Sequence, residues 1–113
     1  MALWEKDYTE EAIIAYNKAI KLNPEFSLAI NNLGVIYLDG IGNIQEAVRL
    51  FERAVEIDED YVLANFNLAR AHHALGNRTL AAQYYQITID LNRVTNELDE
   101  SDVQSRLFDL FRV

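Results

Sequence analysis

A period of 34 to 35 residues runs through most of this chain and constrains its fold more than any other feature. Ala12, Ala47 and Ala81 recur at spacings of 35 and 34 residues. The same two spacings relate Tyr16 to Phe51 to Tyr85, Ala19 to Ala54 to Thr88, and Leu22 to Ile57 to Leu91. Agreement in several registers indicates a repeat protein, in which each unit buries its apolar face only by stacking on its neighbours.

Each complete period contains two helices. Apolar residues recur every three or four positions, as in Ile30, Leu33 and Tyr37, and this is the spacing of one helix face. The pattern predicts helices at about 26–39, 44–57, 61–75 and 79–92, after an earlier helix that ends near residue 23. Because each connection is short, neighbouring helices should pack antiparallel.

Equivalent turns separate the two helices of each period. The segment Asp39-Gly40-Ile41-Gly42-Asn43 is typical of a helix-stopping turn. Its asparagine can cap the next helix, with a glutamate three residues later. The segment Leu75-Gly76-Asn77 repeats this turn one residue shorter, which accounts for the difference between the two spacings.

Composition narrows the class of protein further. The chain has 113 residues, of which half are apolar and a quarter are charged, so it is sized for one soluble helical domain. It contains no cysteine, which excludes disulfides and thiolate metal sites. No apolar run approaches the roughly 20 residues that cross a bilayer, and the N-terminus lacks the pattern of a secretion signal. We therefore expect no membrane insertion and take a cytoplasmic location only as a default.

The charge balance argues against a nucleic-acid partner. Ten Lys and Arg residues face 18 Asp and Glu residues, for a net charge of −8. Binding to nucleic acid usually requires a basic face that displaces counterions. Here the basic residues are interleaved with acidic ones, so a solvated acidic surface is the simpler interpretation.

Residues 7 to about 93 resemble the tetratricopeptide repeat family. The resemblance is carried by Ala12-x3-Tyr16-x2-Ala19-x4-Pro24, by Leu33-Gly34-x2-Tyr37 and by Ala47-x3-Phe51-x2-Ala54. It implies an all-α fold, a right-handed superhelical array of antiparallel helix hairpins (an alpha-alpha superhelix). The small residues should lie where helices approach closely, and the aromatic residues should fill the gaps between hairpins.

The sequence departs from the family pattern at several places. Ile30 and Asn65 stand where the family often has Trp, and Thr88 replaces the last alanine. Glu59 and Arg93 replace the proline kept at Pro24. The glycine-rich turn at residues 40–42 also resembles the Sel1-like repeat, which is the remote alternative.

These boundaries predict a single domain. It would comprise a partial first repeat at residues 1–24, a second repeat at 25–60, a third at 61–93, and a linker with a capping helix at 94–113. The first signature begins in the second helix of a hairpin. We therefore expect either that the chain is a fragment of a longer array or that something else covers this exposed edge.

The resemblance implies a concave groove that is lined by the first helix of each hairpin and binds a partner polypeptide. The groove residues carried over by alignment are Leu28, Asn31, Asn32, Val35, Leu38 and Asp39 from the second repeat, and Leu63, Phe66, Asn67, Arg70, His73 and Ala74 from the third.

Two binding modes of the family differ in how well the groove residues match them. Some members bind acidic chaperone tails through lysines, but the aligned positions here hold Leu28 and Leu63. Asn32 and Asn67 instead resemble the asparagine ladder of the O-GlcNAc transferase array, whose amides hold a peptide backbone. An amide both donates and accepts, so it can pair with an extended chain of any sequence. A purely structural role for the two asparagines is an equal alternative.

The two ends of the chain carry separate predictions. Ser101, with Gln104 three residues later, has the pattern of a capping box. The stripe formed by Val103, Leu107, Leu110 and Phe111 should then cover the last hairpin, or else dock on a second chain. At the other end we expect self-association through an edge formed by Leu3, Trp4, Ile13, Tyr16 and Ile20.

The sequence offers no pattern typical of catalysis. His72 and His73 are the only histidines, and adjacent helical residues diverge by about 100°, so they should not chelate one metal ion. We expect no enzyme activity, no cofactor and no metal. The leading hypothesis is a scaffold that binds a protein or peptide, and the alternative is a self-assembly module that forms homodimers or larger oligomers.

Overall fold

The computed structural model describes the backbone of residues 3–112 and the side chains of residues 8–112. This part of the chain is helical and contains no strand. A π-helical segment, Ile36–Ile41, continues the second helix without a break. The helices are α1 (Leu3–Leu22), α2 (Ser27–Val35), α3 (Ile44–Ile57), α4 (Val62–Leu75), α5 (Arg78–Thr95) and α6 (Glu100–Asp109). None of these described helices is long and apolar enough to span a bilayer.

Consecutive helices pack on one another along the whole chain. The helices α2 and α3 form one hairpin, α4 and α5 form the next, and α6 covers the last helix. This is the predicted all-α array of helix hairpins, and its four central helices begin and end close to the predicted residues. The first hairpin buries its apolar face on the second, as expected of stacked repeats.

Small residues lie where the helices approach most closely, as predicted. A Cβ atom added to Gly34 would lie 2.5 Å from Cε1 of Phe51, which is far inside van der Waals contact. Ala47, Ala69 and Ala81 are fully buried at the other close approaches. The phenyl ring of Phe51 therefore rests directly on the backbone of α2.

The extra residue of the second repeat lies in the π-helical segment and not in the turn. Both hairpin turns end on a glycine with left-handed backbone, Gly42 at φ 84° and Gly76 at φ 82°. Each glycine precedes the asparagine that begins the next helix. The turns are thus alike, and the prediction that one turn is longer is wrong. The additional residue is taken up by a wider helical turn, as single-turn π segments do.

The two asparagines after these glycines behave differently. Oδ1 of Asn43 accepts a hydrogen bond from the Glu46 backbone N–H at 3.3 Å, which confirms the predicted cap of α3. The Glu46 carboxylate does not complete the box, because it pairs with Arg49 at 3.0 Å. The side chain of Asn77 does not cap α5. Its Nδ2 atom instead lies 3.3 Å from Nδ1 of His72.

The last helix begins earlier than predicted. Its N-cap is Asp99, whose carboxylate accepts hydrogen bonds from both the backbone N–H and the hydroxyl of Ser101. The predicted capping box at Ser101 is therefore wrong, since an aspartate two residues upstream offers a stronger acceptor to the same N–H groups. Val103 and Leu110 are buried against α5, which confirms the covering role of α6, whereas Phe111 is exposed.

The first helix runs without interruption from Leu3 to Leu22, so the chain before residue 8 does not fold back as half a hairpin. Ile20 packs on the buried cluster around Ile30, whereas Ile13 and Tyr16 are half-buried. The side chains of Leu3 and Trp4, which belong to the predicted self-association edge, lie outside the described residues. Ile14 faces outward from this helix, with 68% of its surface exposed.

Candidate partner-binding groove

The predicted groove residues lie on α2 and α4, the first helices of the two hairpins. The groove is apolar at its start, where Leu28 and Leu63 are exposed. Farther along, the asparagines of the two helices lie side by side, with Asn31 buried and Asn32 half-buried. At the far end, Leu38, Asp39 and three α4 residues, Arg70, His73 and Ala74, surround a cavity of about 350 Å³. Val35 and Phe66 are half-buried and belong to the packed apolar side chains beneath these positions.

Five of these residues form one hydrogen-bonded chain, here called the polar row, which crosses from α2 to α4. Nδ2 of Asn31 donates to Oδ1 of Asn32 at 3.4 Å. Nδ2 of Asn67 donates to Oδ1 of Asn31 at 3.0 Å. Arg70 then donates to Oδ1 of Asn67 at 3.2 Å and to the Asp39 carboxylate at 2.8 Å. The row ties the second repeat to the third through buried amides, whose unmet hydrogen bonds would be costly.

The two asparagines of the predicted ladder are therefore not equivalent. Asn67 is only 6% exposed and uses both its nitrogen and its oxygen within the polar row. Asn32 is half-buried, and its amide nitrogen donates to none of the residues that the structure describes. Asn32 thus holds two N–H donors at the mouth of the groove, at the position best suited to meet a backbone carbonyl.

The cavity at the far end is also lined by four residues that the groove alignment missed, namely Gly42, Ile44 at the start of α3, Tyr85 from α5 and Arg106 from α6. The guanidinium carbons of Arg70 and Arg106 lie 5.9 and 5.3 Å from the ring centroid of Phe66. This is within the range of cation–π contact. Arg106 follows Val103 by three residues, so it lies on the side of α6 that faces α5. That spacing was the one sequence signal that could have placed it near the groove.

Burial raises the pKa of Tyr85, and the positive charge of Arg106 partly opposes this shift. The phenol therefore stays protonated at neutral pH and shares a hydrogen bond of 2.9 Å with Nδ1 of His73. It contributes a neutral polar group to the cavity, beside two cationic ones.

The two histidines have separate surroundings. His73 contacts Tyr85 at the groove, while His72 is buried and stacks on Tyr84, with ring centroids 5.9 Å apart and an interplanar angle of 9°. Burial lowers the pKa of His72, which keeps its ring neutral at pH 7. Among the described residues, no three His, Cys, Asp or Glu side chains are grouped as metal ligands.

Comparison with known proteins places the chain among repeat proteins. Three family models, each described as tetratricopeptide repeat, match residues 1–26, 15–49 and 39–93. Together they cover the region in which the period occurs.

Individual relatives match over nearly the whole chain. The peroxisomal targeting signal receptor of Saccharomyces cerevisiae is 27% identical over 95% of this chain, which spans 17% of the receptor. Tetratricopeptide repeat protein 33 of Xenopus laevis is 32% identical over 89% of this chain and 39% of its own length. Among solved structures, the TPR2B domain of yeast Sti1 in complex with pHsp70 superposes with a TM-score of 0.84 at 20% identity. It covers 95% of this chain and 86% of that domain.

Proposed function

This chain belongs to the tetratricopeptide repeat family, and we propose that it is an interaction scaffold that holds a partner polypeptide in its concave groove. The similar proteins support a role in protein interaction. The yeast relative is named as the receptor for a targeting signal, and the superposed Sti1 domain is in complex with pHsp70. The chain spans only 17% of the length of the yeast receptor.

The observation that carries the proposal is the open amide of Asn32 beside an exposed leucine. Asn31 holds the Asn32 oxygen, which directs the amide but leaves both of its N–H groups for a ligand. Leu28, half of whose surface is exposed, lies one helical turn earlier on α2. A backbone carbonyl bound to Asn32 with an apolar side chain on Leu28 would hold an extended segment with little dependence on its sequence.

The far end of the groove adds room for one partner side chain. The cavity of about 350 Å³ has apolar walls at Leu38 and Ile44 and polar groups at Arg70, Arg106 and Tyr85. Both guanidinium groups are already paired, Arg70 with Asp39 and Arg106 with Asp102. A side chain that enters the cavity would therefore meet polar groups of both signs, so this end favours polar groups that can both donate and accept hydrogen bonds.

The test is to select peptides from a random displayed library on the wild-type protein and to measure their affinity for Asn32→Ala. Loss of one amide hydrogen bond should weaken binding by about 1 kcal/mol, or roughly fivefold. The matched control is Asn17→Ala, which removes an exposed asparagine from α1 and should leave affinity unchanged. Selected peptides that bind both variants as tightly as wild type would contradict the proposed backbone contact.

A second candidate, self-assembly, is favoured by the exposed side of α1. Ile14 and Tyr8 present most of their surface to solvent there. If two copies cover this surface, Ile14→Glu should reduce the average mass in light scattering across a hundredfold dilution. An exposed control, Asn17→Glu, should leave the mass unchanged. A wild-type protein that is strictly monomeric at high micromolar concentration would exclude this candidate.

A further inference from the structure

A second concave surface lies between α3 and α5, the second helices of the hairpins, and encloses about 480 Å³. We call it the outer cleft. Its floor includes Asn65 and Leu68 of α4. Successive helical residues are about 100° apart, so this pair projects from the side of α4 opposite to Asn67 and Arg70. The outer cleft and the groove are thus on opposite sides of the same helix.

The outer cleft combines an apolar floor with an acidic rim. The floor is formed by Val55, Leu68, Tyr84, Ile87 and Leu91, and the rim by Glu52, Glu56, Glu59 and Asp60. None of these four carboxylates forms an ion pair with a basic side chain of the described chain. Arg49 and Arg53 lie beside Glu52 and Glu56 on α3 but do not line the cleft. A cation that entered the cleft would therefore face four exposed carboxylates and no basic side chain of the lining.

Asn65 adds a buried acceptor at the inner end of the cleft. Only 1% of its surface is exposed, and its Nδ2 donates to the backbone oxygens of Glu59 at 3.1 Å and Tyr61 at 2.9 Å. These two bonds fix the orientation of the amide. Its Oδ1 accepts no hydrogen bond from the described residues. This oxygen is nearly but not completely buried and stays open to the cleft, so it marks a position where a donor would be stabilised.

The equivalent residue of the second repeat has no side-chain group that could accept a hydrogen bond. Ile30 occupies the same register and is completely buried among apolar side chains. The open side-chain acceptor beneath the outer cleft is therefore particular to the third repeat and is not a general consequence of the repeat.

We propose that the outer cleft binds a lysine- or arginine-bearing segment of another polypeptide. Such a side chain has an apolar stem and a cationic head. The stem would lie on Ile87 and Leu91, which are accessible in the cleft. The head would donate to Oδ1 of Asn65 and to the rim carboxylates as charge-assisted hydrogen bonds. A second copy of this chain is a poorer occupant of this cleft, because its excess of acidic residues would be brought against the acidic rim. This site is separate from the groove, so its occupant does not depend on the groove partner.

The experiment is a titration of the ¹⁵N-labelled protein with the hexapeptide acetyl-Ala-Leu-Lys-Ala-Leu-Lys-amide, followed by amide chemical shifts. The matched peptide has both lysines acetylated on the side chain, which keeps the stem and removes the charge. We expect the lysine peptide to shift the Asn65 side-chain amide and the backbone amides of Glu56 and Leu91, and the acetylated peptide to shift none of them. Equal shifts with both peptides, or shifts confined to the groove, would overturn the proposal.

Two double variants separate a specific site from a general charge effect. Glu52→Gln with Glu56→Gln removes two rim charges, whereas Glu10→Gln with Glu11→Gln removes two exposed charges from α1. The rim variant should bind the lysine peptide about tenfold or more weakly than the wild type, equivalent to roughly 1.4 kcal/mol. The α1 variant should lose less than about twofold in affinity. Equal weakening by the two variants would show that the peptide responds only to net charge, and the site would be rejected.

Discussion

The second and third repeats occupy the same register yet use equivalent positions for different purposes. Gly34 in the second repeat admits the ring of Phe51, and the aligned Ala69 in the third is buried in ordinary contact. Asn32 faces the groove with free donors, whereas the aligned Asn67 is buried and bonded on both sides. The period therefore determines where a residue lies along its helix, while the residues across the interface decide what its side chain does.

The largest change in stability among these repeat variants should come from substitution of Gly34, where α2 and Phe51 approach closely. Replacing glycine by alanine inside a helix normally stabilises it by about 0.5–1 kcal/mol. At Gly34 the new Cβ would lie 2.5 Å from the Phe51 ring, so we expect a loss of about 1–3 kcal/mol from overpacking. Urea unfolding would measure it, with Ala69→Gly as the aligned control. Equal or higher stability of Gly34→Ala would show that the ring can move away.

The next largest effect should separate the two aligned asparagines. Asn67→Ala removes the partner of both Asn31 and Arg70, and the unmet polar groups should cost about 1–3 kcal/mol. Asn32→Ala removes a half-buried amide and should stay within about 0.5 kcal/mol. Thermal and urea unfolding of both variants would test this. Similar losses in the two would mean that the polar row contributes little to stability.

A smaller difference in stability is expected between variants of the two asparagines that precede the second helices of the hairpins. Asn43 accepts the Glu46 N–H, so Asn43→Ala should cost about 0.5–1 kcal/mol. Asn77 makes no such cap bond, so Asn77→Ala should cost less than that. The unfolding free energies of both variants would decide the order, and a larger loss at Asn77 would contradict it.

The smallest effect should appear in the pH dependence of stability. Burial holds the pKa of His72 below its usual value of 6.5, so the unfolded chain binds a proton more readily than the folded one. Well above pH 6.5 the ring is neutral in both states and contributes nothing. As pH falls below 6.5, the unfolded state gains the proton first and the folded state loses stability.

The variant that isolates this contribution is His72→Tyr, because Tyr37 holds the aligned position in the second repeat. Its unfolding free energy should fall less steeply than that of the wild type between pH 6.5 and 5.5. All other titrating groups are shared by the two proteins, so they cancel in the difference. Identical slopes would show that His72 titrates as it does in the unfolded chain.

Most of the fold follows from local sequence signals. The apolar spacing, the glycines at residues 42 and 76 and the cap at Asn43 act through bonds within a few residues, so they can be read without knowing the neighbours. The predictions from sequence were wrong where two local structures were both compatible with the same residues. Asp99 displaces Ser101 as the cap of α6, and a wider helical turn in residues 36–41 takes the extra residue that the glycine-rich turn was expected to hold.

The site was less predictable because its chemistry crosses between helices. Alignment placed Asn32, Asn67 and Arg70 on the groove, but only the packed helices show that Asn67 is committed to Asn31. Arg106 reaches the same cavity from a helix outside the period, and the outer cleft depends on the spacing of α3 and α5.

The sequence by itself determined a helical repeat array and the helix on which each candidate residue lies, because periodicity is a property of the chain alone. The tertiary structure decided which polar groups remain free. Whether an amide such as Asn65 or Asn32 keeps an open donor or acceptor depends on which atoms approach it from other helices and turns. Hydrogen bonds form only when donor and acceptor are about 3 Å apart, and the spacing of residues in the sequence does not specify such distances.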